Sequence, residues 1–228
     1  MGRLGLVMVA RELVEKWGGV EVKMSKKTRQ ALTKEAIVVT SNHPGELDPL
    51  ILAANLPKRN DISFIADANL LGRLKNLDKY LIPVYIQNNI ETEGRRTRRE
   101  KLLKKLGLIK KLEKEEEGRR NRESIKKASE KLKKGGLVVI YPEANDGHWY
   151  AGVGYMLAGV GNKKVRVVMA EIKKSNKWSW LRLIPGAGKL MGRFRIRFSE
   201  PLVAKGKTGK EITVFLEERF REFEKLSQ

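Results

Sequence analysis

Short apolar runs alternate with segments of helical period along almost the whole chain, and this alternation restricts the fold more than any other feature. The pattern predicts strands near 36–40, 62–66, 81–86, 136–141, 165–172 and 192–198. It predicts helices near 3–17, 48–56, 69–79, 98–115, 120–134, 150–159 and 209–226. Elements that take turns in this way give an α/β class. The length of 228 residues, 41% of them hydrophobic, suits one domain over 1–228 with an adequate core.

Two of the predicted strands end in chemistry. The run Ala36-Ile37-Val38-Val39-Thr40 leads into His43-Pro44-Gly45-Glu46-Leu47-Asp48, and Gly135-Gly136-Leu137-Val138-Val139-Ile140 leads into Tyr141-Pro142-Glu143. His43 is one of two histidines in the chain, and histidine is the side chain best suited to exchanging a proton near neutral pH. A carboxylate a few residues on can hold its ring in one tautomer and stabilise the imidazolium. Asp48-Pro49 also reads as a helix start, so Asp48 has a second reading as a helix cap. Pro142 cannot donate to a sheet ladder and marks the end of pairing, which presents Glu143 at a strand end.

Taken together, Asn42-His43…Asp48 and Tyr141-Pro142-Glu143-Ala144 resemble the N-H-x-x-x-x-D and F-P-E-G motifs of the glycerolipid acyltransferases, the family of the 1-acylglycerol-3-phosphate acyltransferases. Ser63–Ala66, Leu81-Ile82-Pro83-Val84, Asn121–Ile125 and Arg193–Leu202 resemble further segments of that family in the same order. The resemblance implies a mixed, mostly parallel sheet flanked by helices. It implies His43 as general base and Asp48 as its orienter, with Glu143 and Asn145 holding the acceptor. No metal or bound cofactor is implied. The co-substrate would be acyl-CoA or acyl-carrier protein, and the acceptor a lysophospholipid.

Departures from the family pattern bear on the acceptor. Ile86 stands where the family usually has a phosphate-binding arginine, Ala144 replaces a glycine, and Val167-Val168-Met169-Ala170 lacks its proline. A basic insertion runs from about 91 to 117, in which Glu93–Arg98 is echoed by Glu117–Arg122. Arg119 and Arg120 are the predicted phosphate ligands, with Arg95 and Arg96 as the alternative, because guanidinium groups bind phosphate bidentately. His148 reads as a packing residue rather than a catalytic one.

Charge points to an anionic partner. The net charge is +21, and residues 93–134 hold 18 Lys+Arg against 8 Asp+Glu. Such a charge favours anionic lipid surfaces or nucleic acid. A stripe of Leu102, Leu103, Leu106, Ile109 and Leu112 among lysines suits a helix lying at a membrane interface, or one packed on the domain. Trp178 and Trp180 read either way as well. No run approaches the ~20 apolar residues of a spanning helix, and no signal peptide is expected. With no cysteine in the chain, disulfides and thiol catalysis are excluded. The expected setting is the cytoplasmic face of a membrane, with peripheral attachment and no specific nucleic acid. Two other readings stay open: a catalytically inactive lipid-binding relative, and a basic nucleic-acid-binding module.

Overall fold

The computed structural model describes residues 5–45, 47–72, 77–85, 113–143, 149–161, 163–173, 178, 181–182, 184 and 187–226. The first half runs α1 (Leu6–Lys16), β1 (Val20–Lys23), α2 (Lys26–Lys34), β2 (Ile37–Ser41), α3 (Asp48–Asn55), β3 (Ile62–Asp67) and β4 (Leu81–Val84). The second half runs α4 (Lys114–Lys133), β5 (Leu137–Ile140), α5 (Gly152–Ala158), β6 (Arg166–Lys173), α6 (Ala187–Leu190), β7 (Phe194–Phe198), β8 (Leu202–Val203) and α7 (Gly209–Lys225).

The strands form one sheet in the order β1-β7-β6-β2-β5-β3-β4, with β8 pairing β6 off this path. β2 is parallel to β5 and β6, β3 to β4 and β5, and β1 to β7; β6 is antiparallel to β7 and β8. This is the mixed, mostly parallel α/β sheet expected. Every residue of β2 and β5 is buried, which is why both read as unbroken apolar runs. One face carries Ile37, Val39, Leu137 and Val139 beneath α1 and α3. The other carries Val38, Val138, Ile140 and Met169 beneath Leu132 of α4, Met156 of α5 and Leu216 and Phe220 of α7. Each such large side chain contributes about 1.5–3 kcal/mol on burial.

The last helix opens with a reciprocal cap. Thr208 Oγ1 accepts from the Glu211 N–H at 3.2 Å, and Glu211 Oε2 accepts from the Lys207 N–H at 2.9 Å. Ile212, Leu216 and Phe220 then bury against the sheet. Strand β7 alternates, with Phe194, Ile196 and Phe198 inward. Its opposite face is partly packed. Arg197 pairs with the buried Glu171 at 3.0 Å and stacks on Phe223 of α7 at 3.9 Å.

Several elements differ from the sequence expectation. The helix expected over 69–79 is absent among the described residues there. Two single 3₁₀ turns, Ala68–Leu70 and Asp78–Tyr80, occupy its ends. Gly72 lies at φ +74°, a left-handed conformation that a continuing helix does not allow. Helix α4 begins six residues before the expected 120, with Glu115, Glu116 and Glu117 in its first turn complementing the helix dipole. The helix expected at 98–115 falls almost wholly outside the described residues.

One buried side chain fastens distant elements together. Arg59 donates to the Leu32 and Glu35 carbonyls at 2.9 and 2.8 Å, to the Gly135 carbonyl at 2.6 Å, and to both Asp61 oxygens at 2.8 and 2.7 Å. It thereby ties the end of α2 to the turn before β5 and the entrance of β3.

Candidate active site

Parallel pairing puts the carboxyl ends of β2, β3, β5 and β6 on one edge of the sheet, and reactive groups collect at such edges. The loop after β2 supplies the closest pair. His43 Nδ1 lies 3.0 Å from Asp48 Oδ2. The Asp48 side chain is fully buried, while 45% of the His43 side chain is exposed. The Gly45 N–H donates to the same Asp48 oxygen at 2.6 Å. Asp48 is the first residue of α3 and Leu47 stands at the cap position without a side-chain bond, so the carboxylate turns back to its own loop. The Asp48 carboxylate thus meets His43 and the Gly45 N–H within its own loop. With Nδ1 donating to the carboxylate, Nε2 carries the lone pair on the partly exposed side of the ring.

Neighbouring strands hold this loop. Asn42 Oδ1 accepts from the Ile172 N–H at 2.8 Å, and Asn42 Nδ2 donates to the Ile172 carbonyl at 3.1 Å. Its amide extends the β2–β6 ladder past the Ser41–Ala170 pair, so the residue before His43 is fixed to β6. Tyr141, just past β5, lays its ring 4.8 Å from the His43 ring at 34°. Neither contact was assigned a role from sequence. The only signal was that both residues belong to the quoted motifs.

Glu143 reaches toward α7. Its backbone bridges to Trp149, and the Tyr150 N–H donates to the Pro142 carbonyl at 2.8 Å. The charges of Arg221 and Glu217 act on Glu143. Burial, joined by Glu217, pushes its carboxyl above the usual range. Glu224 is likewise pushed up by burial, then by Glu143 and Glu171. A carboxyl raised in the folded state favours folding most below its unfolded pKa and loses that advantage as pH rises through the folded one. Glu224→Gln is therefore expected to raise the thermal midpoint near neutral pH and to leave it unchanged near pH ~4. Melts at the two pH values check this; an equal shift at both would rule out carboxylate repulsion.

Arg119 and Arg120 sit on the first turns of α4, beside the end of β4. Asn121 fixes that placement, accepting from the Tyr85 N–H and donating to the Tyr85 carbonyl at 2.7 Å each. Ser124 Oγ adds a bond to the Pro83 carbonyl at 2.5 Å. Arg120 lies over the Tyr85 ring at 5.2 Å and pairs with Glu116 at 2.6 Å. Arg119 pairs with Glu116 at 2.8 Å and Glu123 at 2.5 Å. The two guanidiniums hold the Glu116 carboxyl down at about 2. Arg120 is thus next to the residue preceding Ile86, the position where the family pattern has its arginine. Ile86, Arg95, Arg96, Ala144, Asn145 and His148 lie outside the described residues, as does most of the insertion. Among the described residues, no helix is long and apolar enough to cross a membrane.

With this geometry the chain falls into a known class. Residues 19–148, more than half of it, match the family model described as Acyltransferase, and the chain belongs to that family. It is an acyltransferase. Its fold is similar to the crystal structure of the 1-acyl-sn-glycerophosphate (LPA) acyltransferase PlsC from Thermotoga maritima. That match has a TM-score of 0.52 and 18% identity over 95% of this chain and 79% of that one. No curated protein matches the chain.

Proposed function

We propose that the protein moves a fatty acyl group from an acyl thioester to the hydroxyl of a lysophospholipid such as 1-acylglycerol-3-phosphate. The observation that carries this reading is the 3.0 Å contact between His43 Nδ1 and the buried Asp48, in a chain of the acyltransferase family. His43 Nε2 takes the acceptor hydroxyl proton as its oxygen attacks the thioester carbonyl. The tetrahedral intermediate then collapses, and the departing thiolate takes the proton back from the imidazolium. Asp48 holds the ring and stabilises its charge while it carries that proton. No acyl-enzyme is needed, and the chain has no cysteine to form one.

Arg120 and Arg119 bind the acceptor phosphate. Their pairs with Glu116 and Glu123 are exposed, and exposed pairs are weak enough for a phosphate dianion to displace. Glu143 and Asn145 hold the acceptor's remaining polar groups. The donor is acyl-CoA or acyl-carrier protein. The +21 charge supports peripheral attachment to the anionic cytoplasmic face of a membrane.

The test is thiol release from acyl-CoA or acyl-carrier protein with lysophosphatidate presented in anionic vesicles. No release above background with either donor would overturn the proposal. Arg120→Ala is expected to raise KM for lysophosphatidate roughly tenfold with kcat unchanged, the result of losing binding common to ground and transition states. An unchanged KM would return Arg120 to a purely structural ion pair.

A further inference from the structure

Asp48 Oδ1, Tyr141 Oη and Ser41 Oγ are buried and have no hydrogen-bond partner among the described residues. They come from three elements: Ser41 ends β2, Tyr141 follows β5, and Asp48 opens α3. Thr40 pairs with Ile140 in parallel register, so Ser41 and Tyr141 are the next neighbours across the two strands. Side-chain alternation sends both to the face that carries Ile37, Val39, Leu137 and Val139 beneath α3. Tyr141 packs against that core. Tyr141 and Asp48 flank the same imidazole, the ring 4.8 Å from that of His43 and Asp48 Oδ2 3.0 Å from Nδ1. The Tyr141 ring lies against His43 at the same time.

A buried carboxylate oxygen without a partner is costly, and so is a buried hydroxyl. Three such atoms from adjacent elements are the setting in which one internal water, bonded to two to four polar groups, satisfies them together. We propose that Tyr141 is a positioning residue for the His43–Asp48 pair. Its hydroxyl, together with Ser41 Oγ, holds Asp48 Oδ1 through one buried water, and its ring fixes the plane of the imidazole. Burial first, and the Asp48 charge second, pushes the phenol well above its usual range, so its oxygen keeps the proton it donates. Asp48 is then gripped at both oxygens: Oδ2 by His43 and Gly45, Oδ1 by the water. A phenylalanine in this place, as in the F-P-E-G pattern, supplies the ring contact and not the second grip.

The experiment follows the proton on His43 Nδ1 by NMR of the full chain labelled with ¹⁵N-histidine. Two histidines make the spectrum simple, and His43→Gln assigns the signal. Tyr141→Phe keeps the ring and is expected to displace the Nδ1 proton resonance; Ser41→Ala displaces it in the same direction by less. In the acyl-transfer assay Tyr141→Phe lowers kcat about fivefold, the worth of one net hydrogen bond, with KM for the lysophospholipid unchanged. An unmoved resonance in folded Tyr141→Phe overturns the proposal and leaves Tyr141 as packing. The kinetic arm rests on the acyltransfer reading, whereas the NMR arm does not. A displaced resonance in a chain that releases no thiol therefore supports the positioning role and defeats only the functional proposal.

Discussion

His43→Ala is expected to lower kcat by roughly 10²–10⁴-fold while the protein stays folded. The side chain is 45% exposed, so its removal opens no core cavity, and its strong polar contact among the described residues is with Asp48. Asp48→Asn is expected to cost nearly as much, since an amide neither stabilises the imidazolium nor selects the Nδ1–H tautomer. Combining the two should add little to His43→Ala alone, because residues acting as one unit are strongly non-additive. Thiol release by the purified variants, beside a circular dichroism spectrum of each, measures this. Turnover kept in His43→Ala would remove the general base from the mechanism. Turnover kept only in Asp48→Asn would reduce Asp48 to a structural residue.

The largest expected effect on stability belongs to Arg59→Leu. The guanidinium serves three backbone carbonyls and the Asp61 carboxylate, and only 8% of the side chain is exposed. Leucine fills most of the volume but leaves those carbonyls without their donor, a loss of about 3–5 kcal/mol. For a chain of this size that is a fall in thermal midpoint on the order of 10 °C. Arg59→Lys should recover little, because one ammonium cannot reach carbonyls from α2 and the β5 turn together with both oxygens of Asp61. A pH signature accompanies the loss. The hydrogen bond from Arg59 holds the Asp61 carboxyl below its ordinary value of 3.8. A depressed carboxyl contributes stability above its unfolded pKa and loses it as pH falls through the folded one. The gap between wild type and Arg59→Leu should therefore narrow in acid. Thermal melts across the acid range read this, and a gap that widens would exclude the Arg59–Asp61 pair as its source.

Legibility in the sequence followed burial. β2, β5 and β6 were readable because strands buried on both faces are written as continuous apolar runs. Residues 18–35 were not read as structure. β1 is Val-Glu-Val-Lys with three exposed residues, an edge strand held to β7 by backbone pairing. α2 buries only Thr28, Ala31 and Leu32, too few to mark a helical stripe. Within the site, His43 and Asp48 were found because they stand five positions apart in one loop, close enough in sequence to meet whatever the rest of the fold. Arg119 and Arg120 were named because they lie where the family pattern resumes after the insertion, and the bonds of Asn121 to Tyr85 and of Ser124 to Pro83 set that stretch beside the end of β4.

What the sequence alone determined is the set of strand ends and the chemical groups placed there, since apolar period and turn residues are local properties. The tertiary structure decided which groups meet. The Asn42 amide closes on Ile172 across 130 residues, and the Tyr141 ring meets His43 because β5 lies beside β2 in register. Such contacts depend on strand order and register, which the packing of two helical layers onto one sheet selects and no local pattern encodes.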